Sequence, residues 1–475
     1  MIDTEQLVRS LPEQRWYSGR ERKLTSIDMI DHAVIEDGGA PLVTAVVEAG
    51  FEDGGQDRYN LLLVLHEDGS IRDAFEEVER LRALGLAMAQ HMTLRGRNGA
   101  FHFAGPGLDP AAALGYKSIR PVESEQSNSS VILDDAIIVK AFRRPGNGPN
   151  PDLQLNRWLT SEGFEHVPPQ VGEMAYLPGA PGAEANAETT IDLAIAQQWI
   201  DGADGWLEVL GHIERVYEEI DAADAVQDIT SLIGDRSRRI LDQLEELGDV
   251  TGALHVALSR QEIDAEFAPR AVRKGDLHNW AEAVEIALDQ LLHRGVDELA
   301  AQRPAIQTLL RRFRDIADAG YMTRVHGDYH LGQVMLADRG WMIIDFEGEP
   351  LRPLEARRDK QSPLRDVAGM LRSFNYAVCS ALFDRAEPDS EEWRGLQPWA
   401  DAWEQMARDR FLKAYFRKSH EGRFLAPDRE ALNTMLQVFE LDKALYEIVY
   451  EMSHRPGWVR IPLRGIAQLV AGGGR

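Results

Sequence analysis

The chain has 475 residues, 44 % hydrophobic and 27 % charged. That is the balance of a globular protein and excludes a disordered or collagen-like chain. At about 100–200 residues per domain there is room for roughly three units. Lys and Arg number 52 against 78 Asp and Glu, a net charge of −26, so neither nucleic acid nor an anionic membrane is an expected partner.

The single cysteine, Cys379, precludes an intrachain disulfide and suits a reducing compartment. The opening MIDTEQLVRSLPEQ has no basic stretch followed by an apolar one, and runs such as 61–65 are far shorter than the roughly 20 residues of a membrane span. The expected location is the cytoplasm.

In chain order, 41–47 and 59–65 read as strands around the turn 53–57, and 74–89 reads as a helix. Gly105, Pro106 and Gly107 break the pattern, which places a first unit at 1–105. Residues 130–133 and 136–142 read as a hairpin turning on Asp134 and Asp135. A Pro/Gly-rich link at 145–151 leads to a helix over 152–160, and the apolar run 191–200 closes a second unit, 106–200. Beyond it, 201–475 reads as mainly helical, with helices at 211–221, 235–247, 277–294, 304–319, 364–379, 399–417 and 429–454. One β-hairpin interrupts them, 333–336 and 341–346 around the turn 337–340.

The sharpest motif is VHGDYHLGQ at 325–333, followed by IDFEG at 344–348. Kinases place a catalytic Asp five residues before a metal-binding amide, and a second metal-binding Asp after the next hairpin. Asp328 and Gln333 have that spacing, and Asp345 follows the hairpin. An Asp beside the acceptor hydroxyl orients it and takes its proton late in phosphoryl transfer. Oxygen ligands from Gln333 and Asp345, with Glu347 nearby, suit Mg²⁺. No G-x-x-x-x-G-K-[ST] segment occurs, which excludes a P-loop enzyme. EQSNSS at 125–130 offers Gln126, Ser127, Asn128 and Ser129 as phosphate donors, and Lys140 in the following strand as the cation. The partner of Lys140 is open between Asp152 and Gln154. Gln198 and Ile200 fall where a connection between lobes would meet adenine.

Other readings compete. His326 and His330, with Asp328, Asp345 or Glu347, have the chemistry of a metal-dependent hydrolase, although Gly327 and Gly332 disfavour the helix such a site uses. A catalytically dead kinase-like binding module is disfavoured because Lys140, Asp328 and Asp345 are all present. Asp366 opens a helix; it either complements the helix dipole or, with His326, supports the catalytic loop. Glu440, Lys443, Glu447 and Glu451 share one face of the last long helix, as a solvated ion-pair stripe or as part of a sugar site. The sugar reading takes Glu440, Lys443, Tyr446, Glu447, Tyr450, Arg455 and Trp458, with His330 from the catalytic loop.

Together with RWYSGR (15–20), SPLRDVAGMLRSF (362–374) and ELDKALYEIVYEMSHRPGW (440–458), these motifs resemble those of the actinobacterial maltokinases, within the aminoglycoside-phosphotransferase-like kinases. The resemblance spans nearly the whole chain. It implies an α+β, bilobal, protein-kinase-like fold: an N-terminal cap subdomain, an intermediate subdomain and a helical C-lobe. It implies transfer from ATP, with Mg²⁺, to maltose, giving maltose 1-phosphate for α-glucan (glycogen) synthesis. Asp328 would be the base, Gln333 and Asp345 the metal ligands, Lys140 the phosphate-binding lysine, and the last helix the lining of the sugar site. Association with a trehalose synthase follows by analogy only. Gln154 stands where the family pattern has Glu. Kinases of the same architecture that phosphorylate glucosamine are the alternative, and they need carboxylates around the 2-ammonium group.

Overall fold

The computed structural model describes residues 2–17, 19–122, 127–179, 189–221, 228–260, 266–349 and 352–471. The chain divides into two units, 1–201 and 202–475.

The first unit is built on two antiparallel sheets. Strands Leu24–Glu36, Leu42–Phe51, Gln56–Leu65 and Ile71–Asp73 form a four-stranded sheet in sequence order. Side chains alternate across a strand, and here both faces are covered. Val43, Ala45 and Val47 pack with Leu7, Leu11 and Trp16. Leu42 and Val46 pack into a larger core with Phe101, Val131, Val139 and Leu193. That second face explains why 41–47 is apolar without alternation. The expected helix over 74–89 is shorter: 3₁₀ turns cover Ala74–Glu76 and Val78–Leu81, and the α-helix is Arg82–Ala89. Glu77 lies between the turns at φ −126°, ψ 59°, its carboxylate 2.8 Å from His66 Nε2.

The second sheet has seven strands. It begins with Thr93–Arg95 and Gly99–Ala104, the latter paired with Gln170–Pro178. The expected boundary at 105/106 therefore falls inside this sheet; Gly105 and Gly107 mark a loop within it. Ser129–Leu133 and Ile137–Ala141 form the expected hairpin. Asp134 and Asp135 both turn at φ +51°, and Asp134 Oδ1 accepts the backbone N–H groups of Lys117 and Ser118 at 2.8 and 2.6 Å. The helix Pro151–Ser161 begins on Asn150, whose side chain accepts the N–H groups of Asp152 and Leu153, with proline at the first turn.

Arg143, just beyond the hairpin, ties the two sheets. Its guanidinium lies 2.8 Å from the Asp73 carboxylate and donates to Ser129 Oγ at 2.8 Å. It sits over the rings of Trp16 and Phe75, at 4.3 and 4.7 Å.

In the second unit, Leu364–Arg385 is the central helix, buried on nearly every side, with Asp366, Arg372 and Asn375 buried among its apolar residues. Arg429–His454 packs against it, and Glu391–Ser419 packs on both Leu364–Arg385 and Arg238–Ala257. The small sheet carries the hairpin Val334–Ala337/Gly340–Ile343, with Gly202–Asp204 on its edge. Trp341, fully buried, donates its indole N–H to the Gln243 carbonyl at 2.7 Å and so anchors the hairpin to Arg238–Ala257. Among the described residues, no helix is long and apolar enough to cross a membrane.

Arg143 and Asp73 have side chains only 1 % and 5 % exposed. Removing one partner of a buried pair leaves an uncompensated charge and costs about 3–5 kcal/mol. Asp73→Ala is expected to destabilise the first unit by about that amount, read as a lowered denaturation midpoint in urea; an unchanged midpoint contradicts the role given to the pair.

Candidate active site

The catalytic loop hangs on Asp366. Its carboxylate, at the start of Leu364–Arg385, accepts the backbone N–H groups of His326 at 2.8 Å and Gly327 at 2.9 Å. His255 Nε2 lies 3.1 Å from the same carboxylate, and the Tyr415 hydroxyl is 3.0 Å from His255 Nδ1. Burial disfavours the Asp366 charge, but the His255 hydrogen bond, the two imidazoles and the Gly327 N–H together hold its pKa below the ordinary carboxylate value. Gly327 turns at φ +88°, in the left-handed region that glycine enters without strain. Tyr329 is buried with its hydroxyl 2.9 Å from Thr251 Oγ1.

His326 clasps the loop to the next segment. Its Nε2–H donates to the Ile344 carbonyl at 2.9 Å, and its Nδ1 accepts the Asp328 N–H at 3.4 Å. The ring packs on Phe346, centroids 4.8 Å apart. With both ring nitrogens committed to backbone groups, His326 is no metal ligand, which removes the His326/His330 hydrolase reading. His330 Nδ1 accepts the Gly332 N–H at 3.0 Å, and its Nε2 lies 3.9 Å from Asp328 Oδ2.

Asp328 meets Lys443 of the helix Arg429–His454 at 3.1 Å. Lys443 also reaches Glu349 at 2.8 Å, and Glu349 reaches Arg352 at 2.7 Å. Burial opposes the charge on Asp328 and Glu349, yet the neighbouring cation, Lys443 above all, holds both pKa values below their ordinary range. Lys443 loses solvation too, but its two carboxylates raise its pKa well above the usual ammonium value. All three are therefore charged near neutral pH. They open on a cavity of about 270 Å³, shared with Tyr446, Arg357 and Arg365.

Gln333 ends the loop. Its carbonyl accepts the Ile344 N–H at 3.0 Å, and its side-chain amide lies 3.4 Å from Asp345 Oδ2. Asp345 stands at φ +63°, an uncommon conformation outside glycine that is concentrated at functional sites. The nitrogen of that amide is the donor in this contact; the amide oxygen of Gln333 and the carboxylates of Asp345 and Glu347 are of the ligand type that Mg²⁺ takes.

In the first unit, Lys140 is buried with its ammonium 3.2 Å from Asp152 Oδ2. The choice left open between Asp152 and Gln154 falls on Asp152 at this contact. Asn156 donates to Asp152 Oδ1 at 2.8 Å and holds it in place. Asn128 accepts the Arg143 backbone N–H at 3.3 Å. Ser129 is the acceptor from the Arg143 guanidinium, and Ser127 is exposed. Gln126 lies outside the described residues. Gln198 ends its strand exposed, and Ile200 is buried.

The expected sugar set separates. Lys443 and Tyr446 line the cavity beside Asp328, whereas the other members are absent from its lining. Glu440 is buried and doubly hydrogen-bonded by Arg408 at 2.8 and 2.9 Å. Glu447 accepts from Arg372 at 2.8 and 3.0 Å. Arg455 pairs with Glu451 at 2.7 Å and lies over Trp458; Trp458 stacks on Phe383, and exposed Tyr450 stacks on His454. His330 is placed by its own loop. Sequence reasoning missed Glu349 and Arg352. Glu349 was visible as the second carboxylate of EGE in 347–349, but nothing in the sequence pairs it with Lys443.

Residues 11–80 match the maltokinase N-terminal cap domain. The glucosamine kinase of Mycolicibacterium smegmatis (strain ATCC 700084 / mc(2)155) is 27 % identical over 349 residues, 72 % of this chain and 77 % of that protein. The glucosamine kinase of Streptacidiphilus jiangxiensis is 26 % identical over 421 residues, 84 % of each. A solved glucosamine kinase in complex with glucosamine, ADP and inorganic phosphate superposes with a TM-score of 0.70 at 20 % identity, over 99 % of this chain and 100 % of that one. The fold is the expected maltokinase-like, kinase-like bilobal fold, with an N-terminal cap, a β-sheet N-terminal region and a helical C-terminal part. The class it belongs to is the phosphotransferases with an alcohol group as acceptor.

Two variants test the centre. Asp328→Asn keeps the shape and removes the expected base; turnover is expected to fall by about 10²–10⁴-fold while ADP binding persists, and near-normal turnover contradicts that expectation. In Lys443→Met the strongest cation depressing the Asp328 pKa is gone and burial is opposed only by His330 and His326, so that pKa rises. The acid limb of the pH–rate profile is then expected to move to higher pH, checked by kcat/KM between pH 4 and 8.

Proposed function

We propose that this protein is an ATP-dependent sugar kinase that phosphorylates a neutral sugar, with maltose as the acceptor and maltose 1-phosphate as the product. The observation that carries the reading is the ion pair between Asp328 and Lys443 at the wall of a cavity. Asp328, kept ionised, accepts the proton of the acceptor hydroxyl as the phosphoryl group arrives. Lys443 stays protonated beside it, anchored by Glu349, and fixes the direction of that carboxylate. Lys140, braced by Asp152, supplies positive charge to the nucleotide phosphates, and Ser127, Asn128 and Ser129 supply hydrogen-bond donors. Gln333, Asp345 and Glu347 are the residues that would hold Mg²⁺, whose charge offsets that of the phosphates when bound.

Charge balance separates a neutral acceptor from an aminosugar. Three carboxylates of the cavity, buried Glu349 and half-buried Asp328 and Asp442, are already matched: Asp328 by Lys443, Glu349 by Lys443 and Arg352, Asp442 by Arg365. Asp366 is engaged by backbone N–H groups and His255, and Asp359 is exposed. An ammonium substrate would have to share carboxylates with a fixed lysine, and like charges at close range disfavour one another. Hydroxyl groups carry no such conflict. The second reading, glucosamine as acceptor, is favoured by the two curated relatives and the solved structure, all glucosamine kinases.

A panel of maltose, glucose, glucosamine and trehalose, with ATP and Mg²⁺ and ADP release as readout, decides between them. Release is expected with maltose and at background with glucosamine; release with glucosamine alone gives the second reading and overturns the first.

A further inference from the structure

The second unit holds another cavity, of about 1010 Å³, which shares no lining residue with the one beside Asp328. That is the upper end of the usual range for a small-molecule site, about 300–1,000 Å³. It is lined by the C-terminal half of the helix Glu391–Ser419, the start of the helix Arg429–His454 and the loop that joins them, 420–428. The turn 318–321 contributes a further side.

Much of the lining is apolar. Leu412 and Phe416, one turn apart on their helix, line it together with Leu425 and Leu432, all half-buried, and with buried Ala426. The Phe416 ring is braced edge-on by Tyr415, centroids 5.4 Å apart. Tyr321, 41 % exposed, supplies a second aromatic ring.

The charged groups of the lining differ in how they are satisfied. Asp318 accepts the Gly320 N–H at 3.0 Å, and Asp409 accepts from the Gln405 amide at 2.9 Å. Lys413, Arg423 and Arg429 are exposed, and none of their side chains makes an ion pair or a hydrogen bond among the described residues. Glu245, which Lys413 feels at longer range, is held by Arg410 and Arg417. An incoming anion therefore meets three uncommitted cationic donors, and charge-assisted hydrogen bonds are the stronger kind. An incoming cation meets only carboxylates that already accept a hydrogen bond. A flat aromatic body finds apolar and aromatic walls on which to bury its faces.

We propose that this cavity is a ligand site separate from the one beside Asp328. Its ligand class is a planar aromatic ring system carrying a sulfonate, phosphate or carboxylate: the rings lie against Phe416, Leu412 and Tyr321, and the anion is taken by Lys413, Arg423 and Arg429. The site stands independently of which sugar is phosphorylated.

Anilinonaphthalenesulfonate, a fused aromatic with one sulfonate, is the probe, titrated by fluorescence into the full-length protein. Phenylnaphthylamine, the same ring system without the sulfonate, is the neutral control. The variant combines Arg423→Asn with Arg429→Glu. Arg423 turns at φ +54°, a conformation that asparagine enters readily, and an acid at the first residue of a helix suits its dipole. The wild-type protein is expected to bind the sulfonate saturably, and the double variant to raise its Kd by about tenfold, with the urea midpoint unchanged. The neutral control is expected to bind both proteins within twofold. No saturable binding to the wild type, or a Kd raised less than threefold in the variant, overturns the site. A neutral control weakened as much as the sulfonate overturns the part given to the cations. If the double variant does not fold, Lys413→Glu, at an exposed position on the other helix, carries the test: a Kd raised about threefold or more supports the site, and an unchanged Kd overturns it.

Discussion

A single carboxylate under the catalytic loop decides whether the loop has a shape at all. Asp366 takes two successive backbone N–H groups, His326 and Gly327, plus an imidazole. Buried amides without partners cost free energy, so a loop lifted off this carboxylate would leave two such groups and a buried charge behind. The geometry that follows is downstream of that contact. Gly327 makes its left-handed turn, Asp328 emerges toward Lys443, and His326 swings back to hold Ile344. Through Ile344 the same clasp sets the segment that carries Asp345. The base and the expected metal ligands of this unit are therefore indexed to one another by backbone hydrogen bonds, not by their own side chains.

Lys443 performs two tasks that pull in the same direction. As a cation between Asp328 and Glu349 it keeps the proposed base ionised, which general-base chemistry requires near neutral pH. As a fixed positive charge on the wall of the cavity proposed for the acceptor it also uses up the carboxylates that a cationic substrate would seek. Proton-accepting power and substrate charge are thus coupled through one side chain. A kinase that recognises an ammonium sugar through this cavity would need a different charge arrangement around its base.

Much of this was legible in the primary structure because it depends on local pattern. The five-residue interval from Asp328 to Gln333, the hairpin before Asp345 and the Asp134–Asp135 turn are short-range features, and the helix over 429–454 was marked by its apolar periodicity, with Asp428 capping it. What was hidden depends on partners distant in sequence. Glu440, Lys443, Glu447 and Glu451 share a helix face as the spacing indicated, but the face meets different surroundings along its length. Arg408 and Arg372 claim Glu440 and Glu447, Arg455 claims Glu451, and only Lys443 meets the catalytic loop. Periodicity reports which residues point the same way; it carries no record of what they point at. The same holds for the first unit, where Gly105 and Gly107 look like a boundary although the strand before them pairs with Gln170–Pro178.

The arginine partners also account for why so acidic a chain folds around so many buried carboxylates. Burial alone would neutralise Glu447, whose pKa it pushes up, and Arg372 counters that with hydrogen bonds. Arg408 holds buried Glu440 by two hydrogen bonds, at 2.8 and 2.9 Å, the forked arrangement that makes arginine the stronger partner for a buried carboxylate. With these two pairs fixed along the helix Arg429–His454, rotation of that helix about its axis would break both at once. Lys443 lies between them in sequence, so its reach toward Asp328 is set by the pairs on either side. Along this stripe the two arginine pairs hold the register of the helix, and Lys443 between them meets Asp328 at the cavity wall.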